Sequence, residues 1–168
     1  MRPTASDIAN RADVSLRLVF HHFEDMEALY RAVFRLQNDR LRPLLVNGVK
    51  RDAPIAQRVS DFVRDRSLYL EEIAQVYRAT RLFAPNAPSL DEHLQAARAV
   101  LRNQVTDVFG SELRRFSGTE RRERLLAMQA ATSFASWETL RVDMGLEVSR
   151  AEAVLRRELR SQLGLTGR

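Results

Sequence analysis

Apolar residues recur at spacings of three and four almost throughout this chain, and no segment alternates apolar and polar residues over a strand's length. That rhythm matches the 3.6-residue turn of a helix rather than the two-residue repeat of a half-buried strand, so an all-α fold is expected. Met26, Leu29, Tyr30, Val33 and Phe34 share a face of one helix after Asp25, which Pro43 and Gly48 should disturb. A second helix follows Asp52 with Pro54 in its first turn. It carries Ile55, Val59, Phe62, Val63, Arg66, Leu70, Ile73 and Tyr77 on one side and should end by Ala84, before Pro85 and Pro88.

Three further starts carry a capping-box signature, in which a serine oxygen accepts an orphan backbone N–H and a glutamate three residues on reaches back. Ser89 with Glu92 opens a helix carrying Leu94, Ala97, Leu101, Val105 and Val108 that should stop at Gly110. Ser117 with Glu120 opens a long helix through Leu126, Ala130, Trp137, Leu140 and Met144, ending at Gly145. Ser149 with Glu152 precedes Val154, Leu155, Leu159 and Leu163, with Gly164 as the stop.

Composition removes several function classes. Cys 0 excludes disulfides, thiolate nucleophiles and cysteine-ligated zinc. No apolar run approaches the ~18 residues of a membrane span, and Arg2, Pro3 and Thr4 follow Met1 in place of an apolar leader, so a cytoplasmic protein is expected. There is no Gly-rich phosphate loop, no His-x-Glu pair and no Gly-x-Ser-x-Gly turn, and the carboxylates scatter over polar faces. Neither catalysis nor a cofactor is expected. The formal net charge is +5, yet Lys50 is the only lysine among 27 cations. Residues 1 to 23 hold Arg2, Arg11 and Arg17 against Asp7 and Asp13, so the positive charge is not concentrated there and is weak evidence for a nucleic-acid partner.

Those first residues are organised differently from the rest. Thr4 with Asp7 can cap a helix carrying Ile8, Ala9 and Ala12, Asp13 sits where a turn is needed, and Ser15 can cap a second helix carrying Val19, Phe20 and Phe23. In a helix-turn-helix the small Ala9 lets two helices cross closely, Asp13 tolerates the left-handed turn, and Val19 locks the second helix on the first. The adjacent His21 and His22 point apart on a helix, so no shared metal site is expected; one should pack, and if the chain binds DNA His22 should meet a phosphate.

The stretch TASDIANRADVSLRLVFHHFEDMEALYRAVF resembles the DNA-binding segment of TetR-type transcriptional repressors over roughly residues 4 to 34. Ile8, Ala9, Val14, Ser15, Phe20, His21, His22, Phe23, Glu27 and Leu29 carry the likeness. It departs from the family at Met26, where a lysine is usual, at Phe20, where a tyrosine is common, and at Arg17 and Leu18, where a small pair is common. The family also places a whole helix before the position of Thr4, where this chain has three residues, so the head is expected to lack its first helix.

The resemblance implies a small N-terminal helix-turn-helix head joined to a larger antiparallel helical bundle, homodimeric through the last two long helices. Head and connecting helix are expected over 1–46, and a ligand-binding and dimerisation domain over 47–168. It implies a regulator that represses by binding a palindromic double-stranded DNA operator through Thr4, Ser15, Leu16, Arg17, Leu18, Phe20, His21 and His22. Arg17 could read guanine and Leu18 touch a thymine methyl. A small, mainly apolar effector entering the bundle within 53 to 145 would release the DNA.

Phe62, Arg66, Tyr69, Ile73, Phe83, Leu101, Val105, Met128 and Phe134 are the candidate ligand-binding residues. Arg66, on an apolar face, is expected to need a carboxylate, supplied either by an internal Asp or Glu or by an anionic ligand. Leu126, Ala130, Trp137, Leu140, Leu155 and Leu159, on helices from about 119 to 144 and 149 to 163, are the candidate dimer interface. Two other readings share the helical pattern: a ligand-binding or interaction dimer that no longer binds DNA, and a helical lipid carrier.

Overall fold

The computed structural model describes residues 4–46, 48–83 and 88–165, without the side chains of Val46, Phe83 and Ser89. Among these residues every regular element is helical. They are α1 (Ala5–Arg11), α2 (Leu16–His22), α3 (Met26–Val46), α4 (Ile55–Phe83), α5 (Pro88–Leu113), α6 (Gly118–Ala131), α7 (Phe134–Glu138), a π-helical turn (Thr139–Asp143) and α8 (Val148–Gln162). The fold is all-α, as the periodicity requires. No helix of the described residues is long and apolar enough to cross a membrane.

α4 is the axis of the bundle, because its apolar residues leave it on several sides. It packs against α3, α5, α7 and α8. Phe62, Val63, Leu70 and Ile73 of α4 are buried with Val105, Phe109, Met128, Leu155 and Leu159 in one core. The Phe62 and Phe109 rings meet edge to face at 5.2 Å between centroids, the geometry their quadrupoles favour. A polar seam ties α3 to α4: the Tyr69 hydroxyl donates to Asn38 Oδ1 at 2.8 Å, and Asn38 Nδ2 donates to the Phe34 carbonyl at 2.9 Å. Burial pushes the Tyr69 phenol up to about 12.

Several predicted boundaries move. α3 runs through Pro43 to Val46, where the burial of Leu41 and Leu45 on either side outweighs the one ladder hydrogen bond that the proline forfeits. α5 runs through Gly110 to Leu113, where the burial of Phe109 and Leu113 outweighs glycine's poor helix propensity. Ser149 does not cap the last helix. α8 starts at Val148 with no side-chain cap, and Glu152 instead accepts from Ser67 Oγ at 2.6 Å and pairs with Arg156 at 3.0 Å. Ser117 does cap α6, accepting from the Glu120 N–H at 3.3 Å, while the Glu120 carboxylate turns forward to Arg124. The Ser89 cap lies outside the described side chains.

The largest correction concerns the long helix expected from Ser117 to Met144, which breaks at Thr132 and Ser133. The Thr132 hydroxyl donates back to the Met128 carbonyl at 2.8 Å, and Ser133 caps a new helix by accepting from the Ser136 N–H at 3.3 Å. The Thr132 carbonyl is thereby free to accept from Arg66 Nη1 at 2.7 Å. Gly145, at φ 64, turns the chain after the π-helical segment toward α8.

Candidate nucleic-acid interface and bundle cavity

Thr4 and Asp7 form a reciprocal cap on α1: Thr4 Oγ1 accepts from the Asp7 N–H at 3.2 Å, and the Asp7 carboxylate accepts from the Thr4 N–H at 2.8 Å. That bond holds the fully exposed Asp7 carboxyl below its ordinary value. After α1 the chain turns at Asp13, which at φ 54 is the one non-glycine residue with a left-handed backbone among those described. Asp accepts this conformation more readily than most side chains. The Val14 N–H donates to the Ala9 carbonyl at 3.0 Å across the turn, and Ser15 Oγ accepts from the Leu18 N–H at 3.1 Å to open α2.

Only Ala9 of α1 and Val19 of α2 are buried, and the two helices meet there. All eight candidate DNA-binding residues, Thr4, Ser15, Leu16, Arg17, Leu18, Phe20, His21 and His22, are exposed. With Val19 turned inward, the 100° step of a helix puts Arg17 and His21, one turn apart, on the opposite side. Phe20, 50% exposed, flanks them. Neither histidine packs inside, contrary to expectation, because α2 buries only one residue and both rings lie beyond it, edge to face with each other.

The model of the bacterial regulatory proteins of the tetR family matches residues 2–33, which take in α1, the turn, α2 and the start of α3. Over these residues the head is similar to the DNA-binding part of that family. Searches of curated proteins and of solved structures gave no match. The match supports a TetR-type DNA-binding helix-turn-helix, behind which the described residues form an all-helical bundle.

The bundle encloses a half-open cavity of about 470 Å³ between α4, α5, α6 and α7. Its wall is formed by Tyr77, Arg81, Arg98, Leu101, Arg102, Leu126, Gln129, Ala130, Ser133, Phe134 and Ala135. Of the candidate ligand-binding residues, Leu101 and Phe134 are in that wall. Phe62, Arg66, Tyr69, Ile73, Val105 and Met128 are buried in the core outside it, and the Phe83 side chain lies outside the described residues. Sequence reasoning missed the three arginines and Gln129 because surface-type side chains on mixed faces read as solvated. The available signal was the pair Arg98 and Arg102, four residues apart and flanking Leu101.

Among the described residues no Asp or Glu pairs with Arg66, which corrects the expectation of an internal carboxylate. Its Nη1 donates to the Thr132 carbonyl at 2.7 Å and its Nη2 to the Leu101 carbonyl at 2.9 Å and to Gln104 Oε1 at 2.6 Å. The Phe62 ring lies 4.8 Å from the guanidinium carbon. Backbone carbonyls and an aromatic face thus replace a counter-ion. Burial pushes the guanidinium down to about 9, which keeps it charged at neutral pH.

Of the candidate interface residues, Trp137, Leu155 and Leu159 are buried within the protomer's own core and Leu140 is half-buried against it. Trp137 Nε1 donates to Glu71 Oε1 at 2.7 Å. Leu126 and Ala130 are exposed and line the cavity. Among the described residues, Leu126, Val142, Met144 and Val154 are the large apolar side chains left exposed on α6, the π-helical turn and α8.

Proposed function

We propose that this TetR-type regulator represses transcription by binding a palindromic operator as a homodimer, and that a small ligand entering the bundle cavity releases it. Residues 1–46 then form the head and connecting helix, and 47–168 the ligand-binding and dimerisation domain. The observation that carries this reading is the outer face of α2, where Arg17 and His21 stand exposed opposite the buried Val19. A two-fold dimer meets half-sites roughly 34 to 36 Å apart, so a shift of one head by a few ångströms spoils one of two contacts.

Two further observations support it. Val142, Met144 and Val154 supply apolar surface near and on the last helix for a second copy, with Met144 64% exposed. A buried polar chain also links the cavity to the helix that carries the head. It runs from the Thr132 carbonyl, beside the cavity residues Ser133 and Phe134, through Arg66 and Gln104 to the Leu45 carbonyl near the end of α3. In this reading the chain is a cytoplasmic regulator, not an enzyme, and uses no cofactor.

Selection of bound duplexes from a random pool at two salt concentrations tests the proposal. Enrichment of a palindrome by a dimer is expected. Folded protein that enriches no sequence would overturn it and leave a ligand-binding dimer.

A further inference from the structure

The cavity wall holds three arginines and no acidic residue. Arg81 is partly neutralised, since its Nη1 lies 3.9 Å from Glu138 Oε2. Arg98 donates its Nε–H to the Tyr77 hydroxyl at 2.9 Å, a neutral partner, and no described carboxylate lies within ion-pair distance of Arg98 or Arg102. These two cations stand one turn apart on α5, a spacing at which like charges repel. Apart from Gln129 and Ser133 the rest of the wall is mainly apolar, with the Tyr77 and Phe134 rings packed at 4.1 Å between centroids and Leu101 and Leu126 in the same wall.

We infer that the cavity takes an amphiphile ending in a carboxylate, with the anion held between Arg98 and Arg102 and the apolar body laid against Leu101, Leu126 and Phe134. A guanidinium fork meets a carboxylate with two parallel N–H donors, and an anion between two like charges relieves their repulsion. The volume falls within the range of about 300 to 1,000 Å³ that holds small organic ligands. An apolar molecule with no charge would leave both guanidiniums over an apolar wall without gain. The inference deepens the effector reading above, and as an effector site it rests on that reading.

The test is calorimetric titration of the full chain with three probes that share a ten-carbon chain, each below its micelle concentration or solubility limit: decanoate, 1-decanol and decyltrimethylammonium. Decanoate is expected to bind at least about tenfold more tightly than 1-decanol, as charge-assisted bonds require, and the cation not at all. In the double variant R98Q/R102Q, which keeps hydrogen-bonding side chains at exposed or half-buried positions, decanoate should fall to the affinity of 1-decanol while 1-decanol is unchanged. Equal binding of decanoate and 1-decanol, full retention of decanoate by the double variant, or binding of no probe would each overturn the inference. Operator affinity measured in parallel separates the two claims: decanoate that binds through both arginines yet leaves DNA binding unchanged overturns the effector reading and leaves the site.

Discussion

Arg66 and Gln104 hold each other at the centre of the bundle: Nη2 of Arg66 donates to Oε1 of Gln104 at 2.6 Å, and Gln104 Nε2 donates onward to the Leu45 carbonyl at 2.6 Å. Three helices that share no sequence neighbourhood are joined by one amide. Replacing Gln104 by Leu fills the same space but strips a donor from one buried group and an acceptor from another. An unmade buried hydrogen bond costs ~1 to 3 kcal/mol. Urea unfolding of Gln104→Leu should show a loss in that range, and a change within error of zero would mean that the amide is dispensable.

The turn at Asp13 makes a prediction of the opposite sign. A φ of 54 strains any side chain, and glycine carries no such cost. Asp13→Gly should leave the head at least as stable, by ~0.5 to 1 kcal/mol, whereas Asp13→Val should destabilise it by more. Hydrogen exchange at the α1 and α2 amides reads this region alone.

On DNA, Arg17→Ala should relax selectivity at one base step of each half-site by ~1 to 3 kcal/mol. A uniform loss on every sequence would instead make Arg17 a phosphate contact. His21 shares the outward face of Arg17 by its helical phase, so His21→Ala should weaken binding more than His22→Ala, which reverses the ranking read from sequence. Competition binding with matched and mutated operators measures both.

Acid should loosen the fold through two carboxylates. Partial burial pushes Glu71 up, but the bonds from Arg141 and Trp137 outweigh it and hold the group below its ordinary 4.5. Glu112 stands in the same position, burial opposed by its pairing with the buried Arg58. A carboxyl lowered in the folded state stabilises above its unfolded value and loses that contribution as pH falls through the folded one. Thermal stability should therefore decline as pH drops below about 4.5, and Glu71→Gln should flatten part of that decline. An unchanged slope in the variant would remove Glu71 from the account.

The features that were legible in the sequence are those decided within a few residues. The Thr4 and Asp7 cap, the left-handed Asp13, the Ser15 cap and the inward Ala9 and Val19 each follow from local backbone chemistry, and the structure has them all. The break at Thr132 was invisible, because the helix periodicity continues across it and the carbonyl it frees meets its donor 66 residues away in Arg66. The Ser149 signature failed for a similar reason, since Ser67 and Arg156 occupy the Glu152 carboxylate. The cavity was half legible: Leu101 and Phe134 announced themselves as apolar, while Arg98 and Arg102 carried no mark to distinguish them from surface cations.

The break has an inheritable side. A chain that lost Arg66 would leave the Thr132 carbonyl dry unless α6 and α7 closed into one rod, and a chain that closed the rod would take from the guanidinium one of its three acceptors. Either change alone costs a buried hydrogen bond that the other would spare, so drift at these two distant positions is coupled.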